Sequence, residues 1–115
     1  MNIIRNNVQL VGNLGRNPEV KTLENGKKVA TILLACTETY NDPEGRKIEN
    51  TQWFTAVAWD GLAGIAEKYM HKGKQIAISG KLQTRNWTDK EGKKHYVTEI
   101  VCNDILLLGG TKKAE

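Results

Sequence analysis

A single interruption of an otherwise alternating pattern constrains this chain most. Apolar and polar residues alternate along most of its length, which is the period of half-buried strands. Only the stretch after Asp60 changes period. There Leu62, Ile65, Ala66 and Tyr69 fall at i, i+3, i+4 and i+7 and form one apolar helical stripe. Asp60 stands at the N-cap position. Lys72-Gly73 stops the helix with a basic residue and a glycine. A lone amphipathic helix must bury its stripe against a sheet.

The strands around it can be placed from turn chemistry. Val8 to Leu14 forms the first, with a break expected at Gly12. Asn17-Pro18 marks a turn, and Val20 to Leu23 pairs onward across Asn25-Gly26, a strong hairpin signal. The second long strand runs from about 28 to 39. Ala30, Ile32, Leu34 and Cys36 share one face, while Val29, Leu33 and Ala35 make the other apolar enough to be partly covered. The polar run Asn41 to Arg46 is a loop. A third strand spans about 49 to 59, a fourth about 75 to 87, and a fifth about 95 to 108, with a hairpin tip at Asp89 to Gly92. Three strands, one helix and two strands is the order of the OB-fold. The expectation is all-β with one helix: a five-stranded Greek-key barrel with the helix between strands 3 and 4. One domain covers residues 1–110, and 111–115 form a short disordered C-terminal end. A chain of 115 residues buries roughly two-thirds of its unfolded surface, so it needs no staple.

Composition excludes more than it selects. Lys and Arg number 17 against 13 acidic residues, a net charge of +4, which favours a polyanionic partner only weakly. Cys36 and Cys102 are far apart, form no CxxC pair and sit in apolar runs, so they read as buried free thiols in a reducing compartment. The N-terminus has no signal-peptide pattern, and no apolar run approaches the roughly 18 residues that span a bilayer. A soluble, cytoplasmic protein is expected, with no membrane partner. Nucleophile elbows, phosphate loops, GxGxxG and HExxH are absent. His71 and His95 lie in no catalytic context and read as solvent-facing. No catalytic residue, metal site or cofactor is expected.

The aromatic residues carry the functional signal. On the third strand Trp53, Thr55, Val57 and Trp59 share one face, and Phe54, Ala56 and Ala58 the other. Alternation alone leaves open which of the two faces the core. The fourth strand discriminates. Ile76, Ile78, Gly80 and Leu82 make its apolar face, whereas Lys81, Gln83, Arg85 and Trp87 lie on the opposite one. Burying Trp87 there would bury charges without partners. An exposed Trp on a basic β-face suits stacking of bases beside neutralised phosphates. Tyr40 and Tyr96 are weaker candidates, and Tyr96 could equally belong to the core. The one helix lacks the residues of a major-groove reader.

Several segments, in order, match a known family. They include Val11-Gly12-Asn13-Leu14-Gly15, Thr37-Glu38-Thr39-Tyr40, Thr51-Gln52-Trp53, Lys72-Gly73, Thr84-Arg85-Asn86-Trp87-Thr88-Asp89 and Thr98-Glu99-Ile100-Val101. Over about residues 4–110 the chain resembles the bacterial single-stranded DNA-binding proteins. The resemblance implies an OB-fold homotetramer that wraps single-stranded DNA around its outside. Its stacking aromatics fall on Tyr40, Trp53, Trp59 and Trp87, and its cationic positions on Lys21, Lys72 and Arg85; Lys81 joins them from the strand pattern. Thr55, Gly61 and Asn86 stand where many relatives place a cation, and Phe54 takes a subunit-interface position that often holds His. Such relatives usually continue into a flexible tail with an acidic tip that recruits other enzymes. This sequence ends Lys112-Lys113-Ala114-Glu115, so that acidic recruitment tail is expected to be absent.

The expected function is therefore non-enzymatic. The protein binds and protects single-stranded DNA with little sequence preference in replication, recombination and repair, associated with the nucleoid when bound. The alternative is a primosome-type OB-fold adaptor that binds a replication helicase, which would not need four exposed aromatics. A cold-shock-like RNA binder would carry Phe-rich strands, and Phe54 is the only Phe.

Overall fold

The computed structural model describes residues 5–108. They form β1 (Val8–Leu14), β2 (Glu19–Thr22), β3 (Lys28–Asn41), β4 (Lys47–Trp59), α1 (Gly61–Tyr69), β5 (Gln75–Thr88) and β6 (Lys94–Leu107). The sheet runs β1-β5-β6-β4-β3-β2, and β1 also pairs with β3. That last contact closes a barrel of five strands, with the short β2 as a fringe on β3. The architecture is the expected one, and the helix joins the third and fourth long strands. The expected disordered end at 111–115 lies outside the described residues.

Strand alternation builds the core. Ala30, Ile32 and Leu34 of β3, Ala56 and Ala58 of β4, and Ile76 and Ile78 of β5 point inward and are buried. Ile100 and Cys102 of β6 complete the packing. The helix differs from its expected stripe. Ala63, Ala66 and Met70 are buried, while Tyr69 is exposed with Lys68 Nζ 5.8 Å from its ring centre. Small alanines let the helix sit close on the barrel, so the buried stripe lies on their side rather than on Tyr69. Asp60 also departs from its expected role. It occupies the N-cap position at φ 52° but makes no side-chain cap bond. Its N–H instead donates to Lys28 O, and its carbonyl accepts from Gly64 N–H, so the strand-to-helix reversal is made by the backbone.

Gly12 does not break its strand. A Cβ there would fall onto the carbonyl of Ala35, next to the closing pairs Asn13–Ala35 and Leu14–Leu34. Glycine is needed for the approach of β3, not for a bend. Gly80 plays the same part against the Val101 carbonyl. Beyond it β5 and β6 leave the barrel as a long arm, and Leu82, expected inside, is 48% exposed.

All three hairpins end in one kind of turn. In each, an N–H and a carbonyl close a three-residue loop whose last member is a left-handed glycine: Gly26, Gly45 and Gly92. The closing bonds run from Leu23 to Lys27, Asp42 to Arg46 and Asp89 to Lys93. This is a type I turn with a glycine bulge. At Asn25-Gly26 only the glycine has positive φ, so the loop is not the two-residue turn that Asn-Gly commonly makes.

Two glycine substitutions should act in opposite directions. Gly12→Ala is expected to cost about 1–3 kcal/mol through overpacking. Gly64→Ala, in the helix with nothing near its added Cβ, should stabilise by up to about 1 kcal/mol. Urea unfolding of both variants measures this.

Candidate nucleic-acid interface

Register assembles one outer face from five strands. Lys21, Val29 and Trp59 lie in a row across β2, β3 and β4. Thr31 pairs with Val57, Val57 with Val101, and Val101 with Lys81. Leu33 pairs with Thr55 and Ala35 with Trp53 on one side, while Gln83 pairs with Glu99, Arg85 with Val97 and Trp87 with His95 on the other. The core-or-surface question on β4 is thereby answered. Phe54, Ala56 and Ala58 face the barrel interior, and the Trp face is outside. Trp53, Trp59 and Trp87 are 57%, 40% and 46% exposed.

These residues surround a groove of about 540 Å³. Its floor is Val29, Thr31, Thr55, Val57, Val97 and Val101, and Lys21, Trp59, Gln83 and Arg85 stand at its walls. A second cleft, of about 320 Å³, opens beside it between Trp53, Thr55, Leu82 and Glu99. It exists because β4 and β6 pair only at Ala56–Ile100 and Val57–Val101. Past those pairs the β3–β4 and β5–β6 arms diverge. Trp53 lies over Gly15, where any Cβ would enter its ring. A glycine after β1 thus lets this indole lie against the barrel.

Arg85 is not a free cation. Its Nε donates to Glu99 Oε1 at 2.8 Å, and the Glu99 side chain is only 7% exposed. The guanidinium also stands 5.7 Å from the Trp87 ring centre, within cation–π reach. Unpartnered charge is therefore not what keeps Trp87 out of the core. The charge has a partner, and Trp87 is exposed because its arm projects past the barrel.

The expected site residues separate into groups. Lys21, Trp59 and Arg85 line the groove, Trp53 the adjoining cleft, Lys81 the same sheet face, and Trp87 the arm. Tyr40 is exposed but pairs with Ile48, an odd number of residues from the Ala35–Trp53 pair. It faces the other side of the β3–β4 arm. Lys72 lies in the turn after α1, where its N–H donates to Asn17 Oδ1, and does not line the groove. Phe54 is half-buried and packs on its own core. Tyr96, left open between surface and core, is exposed. Cys36 and Cys102 are free. Burial pushes the Cys102 thiol up to about 11 and raises Cys36 as well. Among the described residues no group of three His, Cys, Asp or Glu could hold a metal ion.

Two participants were missed. His95, expected to face solvent, is half-buried and stacks on Trp87 with centroids 5.1 Å apart and planes at 20°. Glu99 was not singled out, although an acidic residue alternating with Val97 and Val101 was a signal. Counting pairs back from the Asp89–Gly92 tip sets His95 opposite Trp87 and Glu99 opposite Gln83, diagonal to Arg85.

A model of the single-strand binding protein family matches residues 5–108. This chain belongs to that family. It is 43% identical over 105 residues to single-stranded DNA-binding protein 1 of Xylella fastidiosa and 46% identical over 105 residues to the protein of that name in Chlorobaculum tepidum. Those alignments take in 90% of this chain and 77% and 65% of the relatives, which are longer. Among solved structures, the Plasmodium falciparum SSB in complex with ssDNA superposes with a TM-score of 0.81 at 31% identity, over 90% of this chain and 95% of that one. The single-stranded DNA-binding protein of Thermus aquaticus shares the fold at a TM-score of 0.78 and 24% identity, over 91% of this chain and 51% of that one. Members of the single-strand binding family are not enzymes, and this member shows none of the catalytic motifs sought in its sequence.

Removing Arg85 should cost stability as well as binding. Arg85→Ala leaves the Glu99 carboxylate buried without its partner, an expected loss of about 1–2 kcal/mol. The loss should shrink in a Glu99→Gln background, a coupling that a double-mutant cycle in urea reads directly.

Proposed function

We propose that this protein binds single-stranded DNA with little sequence preference, through the groove walled by Lys21, Trp59 and Arg85 and the indoles beside it. The observation that carries the reading is the placement of three exposed Trp on one continuous sheet face, beside cations and over an apolar floor. Indoles stack on any base, at about 1–3 kcal/mol per base. Among the groove residues Gln83 and Arg85 are the side chains suited to base-edge readout, and Arg85 Nε is already given to Glu99. The family match and the Plasmodium complex with ssDNA support the same ligand. Tyr40 and Lys72, outside the groove, belong to the path a longer strand takes around the protein.

The role follows from the ligand: coating and protecting single strands during replication, recombination and repair, in the cytoplasm at the nucleoid. No helix among the described residues is long and apolar enough to cross a membrane. Assembly into a homotetramer is part of this reading. Exposed Val11 and Leu106 flank Leu10, Ala77 and Ile105 at the opposite end of β5 from Trp87, an apolar surface suited to another copy.

Intrinsic fluorescence titration with oligo(dT), oligo(rU) and duplex DNA tests the function. Oligo(dT) should quench strongly, with a log–log salt slope near −0.7 per phosphate engaged. Trp59→Ala and Trp87→Ala should each lose about 1–3 kcal/mol of affinity. Equal binding of duplex would refute the reading.

A further inference from the structure

The tip of the β5–β6 arm holds an arrangement that base stacking alone does not require. Asp42 and Asp89 occupy equivalent positions in two hairpin turns. In each, one carboxylate oxygen accepts two backbone N–H groups: Glu44 and Arg46 for Asp42, Glu91 and Lys93 for Asp89. The second oxygen differs. Asp42 Oδ2 takes the Nε of its own loop residue Arg46 at 3.0 Å. The matching residue in the other turn is Lys93, and Asp89 Oδ2 pairs instead with His95 Nε2 at 2.7 Å. That bond, reinforced by the Lys93 N–H, holds the Asp89 carboxyl below the ordinary carboxylate range. Asp89 therefore stays charged throughout the range in which an imidazole titrates.

His95 is thereby pinned against Trp87, stacked at 5.1 Å. One side of an interface indole is covered by an imidazole held in place by Asp89. We propose that His95 is a positioning residue of the single-strand interface, which holds Trp87 ready to stack and makes binding at this arm tighten as the imidazole gains a proton. The inference rests on the single-strand reading above. The Nε2–H donates to the ionised Asp89 whether the ring is neutral or charged; a second ring proton adds a positive charge beside the indole. The charged group against His95 is Asp89 of the turn; Arg85 of β5 stands over the other ring of the stack, Trp87, and Lys93 and Lys94 precede His95 in sequence. Arg85 is matched by Glu99, and Asp89 keeps its charge. His71, the other histidine, lies by Lys72 and takes no part in the stack.

The protein alone is read first. A protonated imidazole quenches an indole stacked on it, so Trp fluorescence of the wild type should fall between pH 8 and pH 5.5. His95→Phe should abolish that transition and His71→Ala should retain it. Oligo(dT) titrations at both pH values follow. Wild-type affinity should rise about three- to fivefold at pH 5.5, what one exposed charge contact supplies. His95→Phe, which keeps a stacked ring, should bind more tightly at pH 8 than His95→Ala, yet show no such rise. His95→Ala should lose the rise and also bind more weakly at pH 8. If the free protein shows no transition dependent on His95, the proposal fails while oligo(dT) binding stands. If the transition is present and affinity rises equally in His95→Phe, the proposal fails as well. If the transition is present and no oligonucleotide binds, the single-strand reading fails and takes the proposal with it.

Discussion

Everything on the outer face depends on how closely two backbones meet inside the barrel. At Gly12 the carbonyl of Ala35 occupies the volume where a side chain would begin. That contact lets β1 reach β3 at Asn13–Ala35 and Leu14–Leu34. Without it the sheet stays open and β3, β4 and β6 lose their fixed curvature. Gly80 does the equivalent where β5 passes Val101, beside the short parallel contact of β4 with β6. Closure here is a matter of excluded volume, which tolerates no gradual relaxation.

The interface is a consequence of what closure leaves over. β3, β4, β5 and β6 are longer than a barrel of this size can use, so their surplus projects as two arms that diverge on the Thr55 and Glu99 side of the Ala56–Ile100 pair. Trp87 rides on one arm and Tyr40 on the other, while Trp53 and Trp59 lie over the barrel wall between them. Positive charge on this surface is sparse. Arg85 is shared with a buried Glu99, so on the proposed reading stacking is the main attraction. A surface of this kind holds a strand by many exchangeable contacts rather than by one deep pocket.

Much of this was legible in the residues. The change of period after Asp60 located the helix, turn residues located the hairpins, and the strand bounds differ from the observed ones by a residue or two. The outward face of Trp87 followed from Lys81 and Arg85, although by an argument that overlooked Glu99. What escaped needed pairs rather than single strands. The face of Tyr40 depends on register along β3–β4, the stack of His95 on register across β5–β6, and the roles of Gly12 and Gly15 on which backbone or ring passes over them. Alternation assigns a residue to a side of its strand; it does not say what lies opposite. The helix stripe was misread for a related reason. Alanine is weakly hydrophobic, yet its smallness decides which side of a helix can approach a barrel.

The shared turn at the three hairpin tips has an evolutionary corollary. Because each tip is closed by the same glycine-ended loop, it acts as a detachable clasp that does not care how long its two strands are. Adding one residue to each strand would turn every side chain beyond the insertion to the opposite side of the arm. Adding two to each preserves orientation and extends the arm by about 7 Å. Arm length in chains built this way is therefore free to vary only in double steps, and a lineage can change how far its fingers reach along a polymer without redesigning which residues touch it.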